Sequence, residues 1–166
     1  MAAGAHHDRA LATHADEVVA QARGRVLVLG DLGTHAAALA PTVTETVHLR
    51  HPGNGAEPLV GCFDTVVSIG ALATIVDLSG FLAALAPHVH RDGVVLFCEP
   101  TVMSDQVRAE PPHDITGTFW AGDWSVIECR RFRVGRGRRA RHYCWGRARL
   151  TRFVGPRRSS ADGARG

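Results

Sequence analysis

Lysine is absent. All 19 basic residues of this 166-residue chain are arginines. With the abundance of alanine, glycine and valine, this reads as the mark of a GC-rich coding sequence, so where the arginines fall says more than how many there are. None of the four cysteines, Cys62, Cys98, Cys129 and Cys144, forms a Cys-x-x-Cys pair. Thiols scattered in this way read as reduced core residues rather than a disulfide frame, and contact between Cys129 and Cys144 across neighbouring strands reads first as packing. No apolar run is long and uninterrupted enough to span a bilayer. The opening residues lack the basic flank and apolar stretch of a secretory signal, so a cytoplasmic protein is expected. No internal repeat is visible. The length suits one domain, and 45% hydrophobic with 21% charged residues is an ordinary globular balance able to build a core.

Charge is divided unevenly. Residues 1–128 carry six arginines against 15 acidic residues, a net of −9, whereas residues 129–166 carry 13 arginines against Asp162 alone, a net of +12. A split of this kind suggests a polyanion or an acidic partner for the C-terminal part. The competing explanation is arginines on the outer faces of two terminal strands and a loose tail.

The hydrophobic pattern alternates between strand and helix. Residues 1–22 have a weakly helical spacing of apolar side chains at Leu11, Val18, Val19 and Ala22. Arg25–Gly30, R-V-L-V-L-G, is a continuous apolar run ending in glycine, as a buried parallel strand should be. Thr34–Ala40 reads as a helix stopped by Pro41, Val43–Leu49 as a second strand, and residues 50–61 as a loop punctuated by Gly and Pro. Phe63–Ile69 is the next strand. Leu78, Phe81, Leu82, Leu85, Ala86 and Val89 mark one face of a helix with Asp77 as its N-cap and Pro87 as its early end. A turn at Arg91-Asp92-Gly93 leads into a strand at Val94–Cys98. Residues 101–113 read as an exposed loop and Ile115–Trp124 as a short helix. Trp124–Val134 and Arg141–Phe153 read as an antiparallel hairpin turning at Gly135-Arg136-Gly137. The order predicts an α/β fold, a Rossmann-like, mostly parallel sheet with helices on both faces and a C-terminal antiparallel hairpin. Residues 1–23 form a helical lead-in, 24–153 the domain, and 154–166 a basic, disordered tail.

Three stretches carry a resemblance. They are V-L-V-L-G-D-L-G-T-H (Val26–His35), F-D-T-V-V-S-I-G-A-L-A-T-I-V-D-L (Phe63–Leu78) and L-A-A-L-A-P-H-V-H-R-D-G-V-V-L-F-C-E-P (Leu82–Pro100). In this order and spacing they resemble the class I S-adenosylmethionine-dependent methyltransferases: first strand and glycine loop, fourth strand with its loop and the next helix, then helix, turn and fifth strand. The likeness covers roughly residues 24–152. It implies a cofactor site at the carboxyl ends of the strands, formed by Gly30, Asp31, Leu32, Gly33, His48, Ser68, Ile69 and Leu72. It implies S-adenosylmethionine as cofactor and, for the acceptor, a small molecule. No catalytic residue can be named from it.

The departures fall at cofactor-facing places. In the family the loop runs Gly-x-Gly-x-Gly; here Gly30 keeps the first glycine, Leu32 and Thr34 replace the others, and Gly33 lies one place off. A leucine there is expected to intrude where the methionine moiety lies. Val28 stands where relatives carry an acid, with Asp31 as a partial substitute. The plain alternative is a strand-to-helix turn. At the end of the second strand His48 replaces an acid that grips the ribose hydroxyls, and an imidazole offers one acceptor where a carboxylate offers several; Glu45 comes three residues too early. Thr74 occupies a place where many relatives have histidine, and Val94 replaces the second glycine of the turn at Gly93. Residues 50–61 are too few for the helix and third strand of relatives, so the sheet should be trimmed between its second and fourth strands, at the adenine pocket. A weakly held cofactor is the expectation.

The ten histidines include His6 with His7, His48 with His51 and His88 with His90, but none has the added Cys, Asp or Glu spacing of a zinc site. Glu99, ending a strand, lies on the edge that faces a substrate; capping the loop Pro100–Asp105 is the plainer role. Trp120, Trp124, Trp145 and Tyr143 lie among arginines, a composition that suits either nucleotide stacking or packing of the last helix and hairpin. The alternative to an enzyme is a non-catalytic subunit whose Arg-rich C-terminal face holds an acidic protein, in a homo- or hetero-oligomer, or binds RNA.

Overall fold

The computed structural model describes residues 12–52, 58–102, 113–135, 137 and 141–151. Six strands form one sheet in the order β2-β1-β3-β4-β6-β5. They are β1 (Gly24–Leu29), β2 (Val43–Leu49), β3 (Phe63–Ile69), β4 (Val89–Thr101), β5 (Trp124–Val134) and β6 (Arg141–Leu150). The first four are parallel. β6 enters between β4 and β5 and is antiparallel to both. The fold is thus α/β and Rossmann-like with an antiparallel C-terminal hairpin.

Both faces of the central strands are buried, which is why β1 reads as a continuous apolar run from Val26 to Leu29. On one face Leu27, Leu29, Val66, Val95 and Phe97 pack under α2 (Leu78–Leu85) and α3 (Ile115–Ala121). On the other, Val26, Val28, Val67, Leu96 and Trp145 pack under Val18, Val19 and Ala22, contributed by the helix over residues 12–19, α1, and the turn after it. The leucines that α2 buries, Leu78, Leu82 and Leu85, are at most 2% exposed, and each such burial contributes about 1.5–3 kcal/mol. Asp77 caps α2, its Oδ1 accepting the Gly80 N–H at 2.9 Å. Asp114 does the same for α3 through Gly117, at 3.1 Å.

Local pattern and structure differ at several places. The segment expected as a helix at Thr34–Ala40 is a 3₁₀ helix, Gly33–Ala38, with no side-chain cap and no buried residue; without an apolar face to bury, nothing holds a longer α-helix there. Arg91-Asp92-Gly93 does not break the chain into turn and strand. β4 runs through it, and the extra residues are absorbed where the register jumps from Phe63↔Val89 to Thr65↔Val94. α2 ends at Leu85, and Pro87 sits in a 3₁₀ turn, Ala86–His88. α3 ends at Ala121, before Trp124 begins β5. Thr101 belongs to β4 and His113 is buried, so the expected loop is shorter at both ends, its centre lying outside the described residues. The tail at 154–166, Leu11, and the histidines at 6 and 7 also lie outside them.

β2 stands first in the strand order. Residues 50–62 join it to β3, and among the described residues they contain no further strand. From β1 the chain steps to β2 on one side, then returns to β3 on the other. The direction of winding therefore reverses beside β1, at the carboxyl ends of β1 and β3, where open α/β sheets leave a crevice for ligand.

Candidate cofactor site at the carboxyl edge

Two glycine turns meet at this crevice. β1 gives way to Gly30, whose φ of 77° is a left-handed conformation natural only to glycine, and β3 gives way to Gly70 at 76°. Each turn is tied to the neighbouring strand: Gly30 N–H donates to the Leu49 carbonyl at 2.8 Å, and Gly70 N–H to that of Cys98 at 2.9 Å. A Cβ on Gly30 would lie 3.2 Å from Cβ of Ala71, while one on Gly33 or Gly70 would meet nothing within 4 Å. The two loops thus touch at one point and are open beside it.

After Gly30 the exposed Asp31 folds back, its Oδ1 accepting the Gly33 N–H at 2.9 Å. Leu32 is only 2% exposed and packs in the α1-side core with Val28 and Leu96. The expectation that its side chain intrudes on the ligand space is corrected: the side chain is buried in that core. His48 is exposed and lies beside Val28 in the register of β1 and β2. Ile69 is half-buried against the α1-side core. Ser68 and Leu72 are fully buried. Of the expected residues, Gly30, Asp31, Gly33 and His48 present accessible atoms at the edge; Leu32, Ser68 and Leu72 support it from behind.

What holds the second loop is Glu99. It does not face open solvent, and its hydrogen bonds among the described residues go to the loop after β3. It is fully buried, with Oε1 accepting from Ser68 Oγ at 2.5 Å and from Leu72 N–H at 3.3 Å, and Oε2 accepting from Ala73 N–H at 3.1 Å. Burial pushes its carboxyl up to about 7, against the opposing pull of the hydrogen bonds from Ser68, Ala73, Leu72 and Gly70. Burial, and then the charge of Glu99, push the neighbouring Cys98 thiol up to about 12. One sequence signal points to this role: an acid ending V-V-L-F-C-E, a strand buried on both faces, must find buried partners. The far end of the same loop is pinned by His113, which is 2% exposed and whose Nε2 lies 2.6 Å from the Ile75 carbonyl. The His113 carbonyl in turn accepts from Thr101 Oγ1 and Val102 N–H, at 3.3 and 3.2 Å.

The aromatic residues of the C-terminal part mostly serve packing. Trp124 is 2% exposed and donates to the Leu82 carbonyl at 3.3 Å. Trp145 lies under the Arg130 guanidinium, 5.2 Å from its ring centre, and Tyr143 stacks on Phe132. Trp120 remains exposed. Several arginines are engaged within the chain: Arg130 and Arg147 flank Glu128 at 3.6 and 3.5 Å, and Arg131 reaches Thr116 Oγ1 at 2.7 Å and Asp114 at 3.9 Å. Arg91, Arg141 and Arg149 make no ion pair among the described residues. Among the described residues, cavities open away from the crevice. One of about 270 Å³ opens between α2 and α3, beside Leu82 and Thr118. Another of about 380 Å³ lies at the amino edge, beside Arg91, Ser125 and Arg149. Among the described residues no three His, Cys, Asp or Glu side chains converge as metal ligands, and no helix is long and apolar enough to cross a membrane.

No protein-family model and no curated protein matches the chain. Solved structures do. The complex of DhpI with SAH is 18% identical with a TM-score of 0.59, over 87% of this chain and 86% of that one. A S-adenosylmethionine-dependent methyltransferase from Clostridium acetobutylicum is 12% identical with a TM-score of 0.58, over 83% and 91%. A putative S-adenosylmethionine-dependent methyltransferase from Listeria monocytogenes is 10% identical with a TM-score of 0.58, over 86% and 99%. The chain therefore has the fold of the class I S-adenosylmethionine-dependent methyltransferases.

Proposed function

We propose that the protein is a small S-adenosylmethionine-dependent methyltransferase that binds its cofactor weakly, in the crevice between the carboxyl ends of β1 and β3, and methylates a small-molecule acceptor. The observation that carries this reading is the pair of glycine turns at Gly30 and Gly70, set side by side where the winding of the sheet reverses, in a fold whose solved examples include a complex with SAH. The residues fit the group: missing side chains at Gly33 and Gly70 leave open space, and Asp31 and His48 offer polar groups at the same edge. Gly30, Asp31 and Gly33 would hold the cofactor through backbone and carboxylate, and His48 would hold the ribose, with Leu32, Ser68, Ile69 and Leu72 shaping the wall behind. Bound there, S-adenosylmethionine supplies an electrophilic methyl group on a sulfonium. The chain's own contribution is to position two reactants, which by itself accelerates transfer strongly.

Weak binding follows from the ribose grip. Exchanging a carboxylate for the single acceptor of His48 forfeits a charge-assisted hydrogen bond worth roughly 1.5–3 kcal/mol, or about one to two orders of magnitude in affinity. The trimmed connection between β2 and β3 removes further adenine contacts. Calorimetric titration should show one site for S-adenosylmethionine and for its demethylated product, each with a micromolar Kd. Silence for both overturns the reading. Free thiols at all four cysteines suit a cytoplasmic setting.

A second reading is favoured by Arg141 and Arg149 of β6, which lack ion pairs among the described residues. In it the chain is a non-catalytic subunit holding an acidic partner through the hairpin. Co-purification from the source decides, a lone monomer counting against it. Binding to RNA by the same arginines requires steep salt dependence, and flat affinity from low to moderate salt excludes it.

A further inference from the structure

We infer that Cys129 is a peroxide-reactive thiol and Cys144 its resolving partner, the two closing to a disulfide across β5 and β6. The inference is independent of the crevice and of any cofactor in it. β5 is the last strand of the sheet. Cys129 on it is half-buried, while Cys144, one strand further in, is fully buried. In the antiparallel register Cys129 lies opposite Gly146, and Cys144 opposite Arg131. The two cysteines are therefore diagonal neighbours on one face, since side chains two residues apart on a strand point the same way. Both pack in the core under α2 and α3. Gly146 puts no side chain in front of Cys129, and the strands run so close there that a Cβ on Gly146 would lie 3.0 Å from Cys129 Cα. The thiols meet in a hydrogen bond. A diagonal pair stands near the limit of disulfide reach, about 7 Å between Cα atoms. The remaining movement falls to β5, an edge strand joined to the sheet on one flank only.

The two thiols divide the chemistry. The hydrogen bond from Cys144 and the charge of Arg131 bring the Cys129 thiol down to about 7, against burial and the Asp114 carboxylate. At neutral pH much of it is thiolate, the nucleophilic form. Its sulfur attacks one oxygen of hydrogen peroxide, and the O–O bond breaks. Hydroxide leaves and takes a proton from solvent to become water, while Cys129 becomes a sulfenic acid. Cys144 is held protonated by its hydrogen bond with Cys129, by burial, and by the charges of Cys129 and Glu99, against a hydrogen bond from Thr101. That hold loosens once Cys129 carries no charge, because the pull of the thiolate on the Cys144 proton is gone. The Cys144 sulfur then attacks the Cys129 sulfur, and the S–O bond breaks. The departing hydroxide takes the Cys144 proton and leaves as water. The two thiols are oxidised to a disulfide, and the peroxide is reduced to water. Cys98 cannot take the place of Cys144: it packs in the core of the opposite face, and burial and the Glu99 charge push it up to about 12.

The test uses the whole chain with Cys62→Ser, which removes the exposed thiol. The protein is reduced, treated with one equivalent of hydrogen peroxide, and alkylated in denaturant. Peptide mass spectrometry should find Cys129 joined to Cys144, with Cys98 alkylated, and a dithiol reductant should return both thiols. The link should form about tenfold faster at pH 8 than at pH 6, following the thiolate of Cys129. Cys144→Ala should stop at the sulfenic acid, trapped on Cys129 by dimedone, with its pH midpoint moved upward for want of the Cys144 hydrogen bond. The linked peptide needs no substitution in the hairpin, so it decides even where that variant does not fold. Cys144 found alkylated, whether or not Cys129 is oxidised, or a link to Cys98 in its place, overturns the pairing. A rate that is flat between pH 6 and pH 8 overturns Cys129 as the attacking thiol.

Discussion

Replacing Leu32 by alanine separates two accounts of the loop after β1. In the structure Leu32 is 2% exposed and packed among Val18, Val28, Val67 and Leu96. Truncating a buried leucine costs about 2–5 kcal/mol, the spread reflecting how far the site collapses. Leu32 follows β1 outside any strand or helix, and the lower part of that range is expected, about 2–3 kcal/mol. For a domain of this size each kcal/mol moves Tm by about 2–4 °C, giving a fall of about 4–12 °C. Urea unfolding followed by tryptophan fluorescence reads the loss, since Trp145 reports from the same core. Calorimetry with SAH should then give a Kd within about threefold of the parent, because no ligand contact is removed. If the leucine instead filled the methionine space, the variant would keep its stability within about 0.5 kcal/mol and bind SAH more tightly. That pair of results refutes the placement of Leu32.

Gly146→Ala tests the hairpin. A Cβ there runs into the Glu128 carbonyl of β5 and lies 3.0 Å from Cys129 Cα. Backbone cannot step aside as a side chain can, so the variant should lose about 3 kcal/mol or more and unfold at lower urea; a loss under about 1 kcal/mol would contradict the strand pairing. Of the three thiols within the sheet, Cys129 should be the pH-sensitive one. The hydrogen bond from Cys144 lowers it to about 7, against burial and with help from Arg131. Iodoacetamide labelling read by peptide mass spectrometry should rise with a midpoint near 7 at Cys129, leave Cys98 and Cys144 unmodified in the native protein, and shift its midpoint upward in Arg131→Ala. Labelling that keeps climbing with hydroxide through the alkaline range would rule this out.

The site was unevenly legible in the sequence. Gly30 and Gly33 stand out because a strand-ending apolar run followed by glycine declares a turn close to the backbone of something else. Ser68 and Leu72 were identified by resemblance, yet they support the loop from beneath the crevice. The role of Glu99 was missed because its partners lie 26 to 31 residues away in the chain, beyond the reach of any periodicity. Leu32 was misjudged for a related reason: spacing along a loop tells which residue occupies a position but not which way the turn rotates it.

By itself the sequence determined the alternation of strand and helix, the buried run of β1, and the cap at Asp77. Each of these is a local matter of apolar period, β-propensity or a side chain reaching a few residues along. Tertiary structure alone decided that β6 enters between β4 and β5, that Leu32 is buried in the α1-side core, and that the buried Glu99 carboxylate of β4 anchors the loop after β3. These outcomes depend on which distant segments lie close enough to exclude water and share hydrogen bonds, and that is settled only once the whole sheet has formed.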